Sequence, residues 1–425
     1  MSAFDRIIGY ETIKAELMQI CDMIHNSEAY EKLGAKMPQG MLLYGDPGLG
    51  KTLMAKAFIE ESGLEAYVVR LNKGNDDFIG DITDTFLCAK VNAPSIVFLD
   101  DMDKFANEDQ NHRDAEEYVA VQAGIDDVKD SNVFVIATAN EVWKLPRSLV
   151  RSGRFDRKIE VQCPTDKDAN DIIRYYLSDK KVSDSVDMED LSRMISYSSC
   201  AELETILNDA AINAAFEKKD SIGMEDLVKS VLRMQYDSPD IYAKTSEDEM
   251  RRVALHEAGH LVVCEALEPG SVGLASLRTS GRSSTNGFIH RCKELSKLEY
   301  NILISLAGKV AEELYYADVS DNGCQSDLER AAELIQGRLS RSGVKGLFMV
   351  DFDSFPDSPS EEFKARIETA VHAELENYML RAKDILLKNR DFLEKAAQAL
   401  IGKETLLYSD IRKIKESTTV TGAAA

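Results

Sequence analysis

The apolar run Met41-Leu-Leu-Tyr44, followed at once by Gly45, Asp46, Pro47, Gly48, Leu49, Gly50, Lys51 and Thr52, constrains this chain more than any other stretch. The run reads as a strand, and Thr52–Glu61 behind the glycines has helical spacing. The residues between them satisfy G-x-x-x-x-G-K-[ST]. Glycines at those places let consecutive backbone N–H groups face inward as a nest for phosphate oxygens, at the positive end of the following helix. Lys51 is then expected to reach the β- and γ-phosphates of a nucleotide, and the Thr52 hydroxyl to coordinate Mg²⁺.

Further strands are predicted at Val68–Leu71, Ile96–Asp100, Val133–Thr138 and Lys158–Val161, with helical stretches such as Ile82–Val91 between them. Strands alternating with helices imply a parallel sheet covered on both faces, so residues 1–165 are expected to form an α/β nucleotide-binding domain. Asp100 ends its strand where a carboxylate is needed for the Mg²⁺ shell, and Asp101 is the natural group to orient the attacking water. Asn140 ends the next strand. It either hydrogen-bonds that water or the γ-phosphate, or is a strand-terminal turn residue. Arg151 and Arg154 lie in a glycine loop beyond it. Arginines offered by a neighbouring subunit stabilise charge on a transferring phosphoryl group, but from the residues alone surface ion pairing is the simpler reading. Phe78, by pattern alone, is a core residue.

Residues 166–236 change character. Asp168–Lys181, Met188–Ser196, Ala201–Lys218 and Met224–Tyr236 all read as helices and predict a small helical domain. Residues 237–248 carry turn residues without a strong period and are the predicted linker. From 249 to 417 helical patterns dominate, interrupted by one hairpin of Val272–Arg278 and Gly287–Cys292. Residues 418–425 read as a frayed tail.

The second half contains His256-Glu-Ala-Gly-His260, an H-E-x-x-H pattern inside a helical run. Positions i and i+4 share one helix face, so both imidazoles can hold one Zn²⁺, with Glu257 placed to take a proton from an attacking water. Cys264 continues the stripe, but eight residues of helix span about 12 Å, too far to share an ion with His256. The extended H-E-x-x-H-x-x-G-x-x-H pattern fails at Val263 and Ala266. The third ligand must come from elsewhere, and the residues do not choose among Asp327, Asp318 and Asp321.

Composition narrows the partners. With 51 Lys plus Arg against 74 Asp plus Glu the formal charge is −23, which disfavours nucleic acid and anionic lipid. The seven cysteines are scattered and include no C-x-x-C, as expected for buried thiols in a reducing compartment. No apolar stretch approaches a membrane span and the N-terminus has no signal-peptide run, so a cytoplasmic location is expected.

The two motifs in this order resemble the FtsH family of ATP-dependent zinc proteases. The resemblance runs from Phe4 to about Lys415 and includes Glu31-Lys-Leu-Gly-Ala-Lys36, Leu149-Val-Arg-Ser-Gly-Arg-Phe-Asp-Arg157, Ala307-Gly-Lys-Val-Ala-Glu-Glu313 and Ser326-Asp-Leu-Glu-Arg330. It implies an α/β P-loop AAA+ ATPase with a helical lid, followed by a mostly α-helical zinc metallopeptidase domain. It implies ATP, Mg²⁺ and Zn²⁺, a homohexameric ring and unfolded or tagged polypeptide substrates. By resemblance Gly45–Thr52 match the Walker A loop, Asp100 the Walker B aspartate, Asn140 sensor 1, and Arg151 and Arg154 the arginine fingers. Phe78-Ile-Gly80 matches the aromatic pore loop, His256, His260 and Asp327 the zinc ligands, and Glu257 the catalytic base.

The sequence departs from the family in four places. It lacks the N-terminal membrane helices, as expected of a chain cut at the start of the ATPase or of a soluble relative. Asp101 stands where the family has Glu, Cys200 interrupts the lid's Gly-Ala pair, and Ile125-Asp-Asp-Val128 lacks the aromatic of the inter-subunit segment. The expected activity is ATP-driven unfolding and processive proteolysis, with substrate adding as a strand beside Val272–Arg278. One alternative is a ring-forming remodelling or binding protein with a slow ATPase; another is a peptidase that uses ATP only for assembly.

Overall fold

A computed structural model describes residues 2–71, 77–106, 116–151, 153–238, 246–279, 286–316, 321–342 and 361–418. Contacts divide the chain into two units: residues 1–180 with 197–208, and residues 181–196 with 209–425. Among the described residues no helix is long and apolar enough to cross a membrane. Asp318, the hairpin loop at 280–285, linker residues 239–245 and tail residues 419–425 lie outside the described residues.

The first unit begins with helices α1 (Glu11–His25) and α2 (Ser27–Glu31). It then alternates β1 (Gly40–Tyr44), α3 (Lys51–Ser62), β2 (Glu65–Val69), α4 (Phe78–Val91), β3 (Ser95–Leu99), α5 (Glu116–Asp127), β4 (Val133–Ala139), β5 (Arg157–Glu160) and α6 (Asp166–Leu177). The sheet is parallel throughout, in the order β2-β3-β4-β1-β5. The inner strands β3 and β4 are buried along their whole length, which is why their sequences are unbroken apolar runs. The β2 prediction was displaced: the strand starts at Glu65 and stops at Val69. As an edge strand it is partly exposed, so its first residues lack the apolar signature that drew the prediction to 68–71.

Three helices follow: α7 (Met188–Met194), α8 (Cys200–Phe216) and α9 (Met224–Tyr236). Asp187 caps α7 by accepting the N–H groups of Glu189 and Asp190.

The second unit continues with α10 (Glu247–Leu267), β6 (Val272–Thr279), β7 (Asn286–Arg291), α11 (Leu298–Tyr315), α12 (Asp321–Ser342), α13 (Glu361–Lys388), α14 (Arg390–Lys403), β8 (Thr405–Leu407) and α15 (Tyr408–Glu416). Ser246 caps α10 through Glu249 N–H, and the acidic first turn suits the positive end of the helix dipole. From Ala254 to Ala266 the helix is buried on nearly every side, packed with α11, α13 and α14 around one apolar core.

The hairpin is antiparallel as predicted, but it gains a third strand, giving the order β7-β6-β8. This corrects the expected site of strand addition. Val272–Arg278 is the middle strand with both edges paired, whereas β7, among the described residues, pairs with β6 alone.

Candidate functional site

In the first unit, the phosphate loop leaves the buried strand β1 and enters α3 at Lys51. Gly45, Gly48 and Gly50 all have positive φ, and a Cβ at Gly45 would stand 2.1 Å from the Val161 carbonyl oxygen. The loop therefore requires glycine at the first position for close approach and at the others for backbone conformation. Lys51 Nζ donates to the carbonyls of Gly45 (2.7 Å) and Asp46 (2.6 Å). Burial pulls the Lys51 pKa down, opposed by the nearby carboxylates of Asp101, Asp103 and Asp46.

Asp100 lies at the end of β3, where Thr52 Oγ1 and Thr138 Oγ1 each donate to its Oδ1 at 2.9 Å. Thr52 and the strand-end aspartate thus meet in one place, and their oxygens are the kind of donors a hydrated Mg²⁺ takes. Asp101 has left-handed backbone, φ 53°. Its carboxylate accepts from Lys104 Nζ at 2.6 Å and from Asn140 Nδ2 at 3.3 Å. Asn140 is thereby brought to Asp101.

The two loop arginines differ. Arg151 is exposed. Arg154 is buried and forms a fork to Asp126, Nε–Oδ1 3.0 Å and Nη2–Oδ2 2.7 Å, with Nη1 on the Ser148 carbonyl. The guanidinium depresses the Asp126 pKa through that hydrogen bond. Arg154 is therefore not presented outward here, because Asp126 in the same unit consumes its charge. Phe78 opens α4 half-buried, edge-on to Phe105 with centroids 5.4 Å apart. Cys200 packs beside the phosphate loop, its Sγ 4.0 Å from the Leu49 carbonyl and 3.7 Å from Tyr10 Oη.

In the second unit, small residues set the geometry. A Cβ at Gly259 would lie 2.6 Å from the Ala307 carbonyl oxygen, and one at Gly308 would lie 2.5 Å from His256 Cε1 and Nε2. Only glycine at both places lets α10 and α11 approach with two imidazoles between them. Running opposite to α10, α11 offers Glu312 Oε1 to His256 Nδ1 at 2.8 Å and the Ile304 carbonyl to His260 Nδ1 at 2.6 Å.

With both Nδ1 atoms engaged, both Nε2 atoms face Asp327 of α12. His256 Nε2–Asp327 Oδ2 is 3.1 Å, His260 Nε2–Asp327 Oδ2 is 3.3 Å, and the two Nε2 atoms are 3.0 Å apart. Two imidazoles and one carboxylate with outer partners fixing the tautomers form a donor set suited to zinc, with a fourth position left for substrate or water. Burial alone would lower the His256 pKa, but its contacts with Asp327, Cys324 and Glu312 outweigh this and raise it well above the ordinary value. Burial works against ionised Asp327, yet the same two histidines hold its pKa down.

Glu257 is buried beside the cluster, and burial raises its pKa to about 6 despite the opposing pull of His260 and His256. Gly287 of β7 packs against it: a Cβ there would stand 2.6 Å from Glu257 Cγ and Oε1. Sequence reading did not assign Glu312, Gly308 or Gly287. The first two lie in the segment Ala307–Glu313, where an Ala-Gly pair followed by an acid four residues on was the available signal. Cys324 lies 3.7 Å from Glu312 Oε1.

Residues 41–163 match the family described as ATPase family associated with various cellular activities (AAA), and residues 243–414 match peptidase family M41. The chain is 30% identical to ATP-dependent zinc metalloprotease FtsH 2 of Symbiobacterium thermophilum, over 97% of this chain and 74% of that protein. It is 29% identical to ATP-dependent zinc metalloprotease FtsH of Leptotrichia buccalis, over 97% of this chain and 56% of the relative. The corresponding protein of Caldicellulosiruptor bescii is also 29% identical, over 97% and 71%.

Proposed function

Because the chain belongs to the FtsH family of ATP-dependent zinc metalloproteases, we propose that it unfolds polypeptides with ATP and cleaves them processively in a hexameric ring. The observation that carries the reading is the convergence of His256, His260 and Asp327 beside buried Glu257. In this reading those three side chains hold Zn²⁺, while Glu312 and the Ile304 carbonyl fix the imidazole orientations. Zinc held there would polarise the scissile carbonyl and acidify the attacking water. Glu257 takes the proton of that water and passes it to the leaving amine. A carboxylate with a pKa near 6 is well suited to both roles at neutral pH. The substrate adds as an extended strand at the edge of β7 that has no partner strand among the described residues, through main-chain hydrogen bonds that carry little sequence preference.

In the ATPase half, the Gly45–Thr52 loop cradles the triphosphate, Thr52 and Asp100 hold Mg²⁺, and Asp101 with Asn140 orients the attacking water. Lys51 gives up the Gly45 and Asp46 carbonyls for phosphate oxygens. Arg151, being exposed, is the arginine offered to a neighbouring subunit, while Arg154 braces the loop through Asp126. Phe78 grips substrate after leaving Phe105. Degradation of an unfolded protein, assayed with and without ATP and then with a zinc chelator, tests the whole reading. Activity needing both ligands supports it, and zinc-replete protein that cuts nothing overturns it.

One observation favours a slower variant of the same machine. The Asp101 carboxylate is already held by Lys104 and Asn140 and lacks the methylene of the family's glutamate. Turnover would then be low, with nucleotide acting mainly as a conformational ligand, and Asp101→Glu would raise it.

A further inference from the structure

The His256 ring is approached by donors at both of its nitrogens. At Nε2 stand His260 and Asp327. At Nδ1 stand two other groups of the second unit. Glu312 of α11 accepts from Nδ1–H at 2.8 Å, and Cys324 of α12 places Sγ 4.0 Å from Nδ1 and 3.7 Å from Glu312 Oε1. His256, Glu312 and Cys324 are all buried.

Two features distinguish this group from ordinary packing around a thiol. The first is spacing. Thiolate, imidazole and carboxylate donors around one tetrahedral ion stand roughly 3.3–3.6 Å apart, given metal–ligand bonds of about 2.0–2.3 Å. The three separations here bracket that range, so closing on an ion takes shifts of about half an ångström. The second is an orphaned atom. Glu312 Oε2 is buried and, among the described residues, has no hydrogen-bond partner. A buried carboxylate oxygen left unpaired is costly, and a cation held by the same carboxylate satisfies it. The thiol decides which cation. Sulfur beside imidazole and carboxylate selects Zn²⁺, Cd²⁺ or Cu⁺ over Mg²⁺ and Ca²⁺, which take oxygen donors.

We propose that Cys324, Glu312 and His256 Nδ1 form a second metal position, behind the first, for a thiophilic cation of the Zn²⁺ and Cd²⁺ class. Its occupation makes one metal–sulfur, one metal–nitrogen and at least one metal–oxygen bond. The Cys324 thiol proton and the Nδ1 proton leave to solvent, the hydrogen bond from Nδ1–H to Glu312 is lost, and nothing is oxidised or reduced.

The consequence follows from the shared ring. With a cation at Nδ1, Glu312 no longer supports His256 as a ligand at Nε2, and the two ions compete for the electrons of one imidazole. Loss of such an outer partner weakens metal affinity by about 10–100-fold. The position is therefore inhibitory: excess thiophilic metal loosens the metal held by His256, His260 and Asp327. This consequence rests on the proposed function, whereas occupation of the second position does not.

The test titrates Cd²⁺ into the full chain previously loaded with Zn²⁺. Total metal per chain is measured after gel filtration, beside the charge-transfer absorbance of cadmium–thiolate bonds. Unmodified protein is expected to hold one equivalent more than Cys324→Ala or Cys324→Ser, with a correspondingly stronger thiolate band. Exposed Cys88 and the other thiols are common to all three proteins, so they cancel in the difference. Variants that bind as much metal with the same band overturn the proposal. So do variants that fail to take up Zn²⁺ before Cd²⁺ is added, since Cys324 would then belong to the fold of the first cluster. Peptide cleavage by unmodified protein should fall about tenfold or more as the extra equivalent fills, and neither variant should show that component of inhibition. A protein that cleaves nothing would sink the proposed function, and the metal count would still decide the second position.

Discussion

The phosphate loop and the metal cluster are built on opposite plans. The loop is eight consecutive residues, Gly45–Thr52, and its ligand groups are mostly backbone. Charged side chains in and beside it are engaged internally: Lys51 on the Gly45 and Asp46 carbonyls, and neighbouring Asp101 on Lys104. Ligand must displace these contacts, so the site is made to rearrange. The cluster takes three side chains from α10 and α12; its two imidazoles are buried and hydrogen-bonded to α11 groups on the side away from the metal position, and partly buried Asp327 meets both Nε2 atoms. Such a site is pre-organised and has little room to move. Under the proposed function, the rearranging half is the one that cycles and the pre-organised half the one that repeats a single chemistry.

The sharpest way to break the comparison is to disable each half separately. Glu257→Gln keeps the shape of the pre-organised site and removes its base. Peptide cleavage is expected to fall by about 10²–10⁴-fold with zinc content unchanged, measured by metal analysis beside a fluorogenic peptide assay. Equal loss of zinc would mean that Glu257 holds the cluster together. Lys51→Ala removes one charge from the rearranging site, and ATP hydrolysis should drop by about 10²–10³-fold. Degradation of folded substrates should stop while short peptides are still cut. If peptide cleavage stopped too, the halves would not be separable.

Asp101→Glu probes the rearranging site more gently. One methylene moves a carboxylate by roughly its own bond length, and misplacement of that order is worth up to about 10²-fold in rate. An increase in ATPase turnover would identify Asp101 as the limiting group, and no change would show that the left-handed backbone at this residue already compensates. Glu312→Gln is the corresponding change at the cluster. It retains the side-chain shape but removes the charge behind His256, and zinc affinity should weaken by about 10–100-fold in a chelator competition.

The same contrast explains how much could be read without coordinates. The phosphate loop was legible because strand, glycines, lysine and threonine are contiguous, and β1, β3 and β4 announced themselves as unbroken apolar runs. His256 and His260 were legible through helical periodicity. Asp327 was not separable from other carboxylates by chemistry alone, since α12 comes within bonding distance only through the packing of α11. Glu312 and Gly308 depend on a helix crossing, and Gly287 on a strand meeting a helix far away in sequence. The three-residue β8 and the short α15 went unread because neither is long enough to show a period. Arg154 could have been outward or buried, and only the position of Asp126 decides it.

His290 gives the smallest effect and the one that bears on rigidity directly. Burial pulls its pKa from 6.5 down to about 4, with Arg291 adding to the shift and a contact with the Arg193 backbone opposing it. Between those values the unfolded chain binds a proton that the folded chain refuses. Stability therefore rises with pH across the window and is lost as pH falls from 6.5 towards 4; above 6.5 both states are neutral and the group contributes nothing further. A shift of this size sets an upper limit of ~3 kcal/mol, and partial exposure of the ring reduces it to about 1–2 kcal/mol. His290→Gln should be somewhat less stable than the unmodified protein at pH 7, through imperfect hydrogen bonds to Tyr236 and Ser196, and should close or reverse that gap at pH 5. Denaturant unfolding at the two pH values measures it. A gap that stays constant would mean the imidazole is hydrated in the folded state, and the cluster's surroundings would then be softer than its fixed donors suggest.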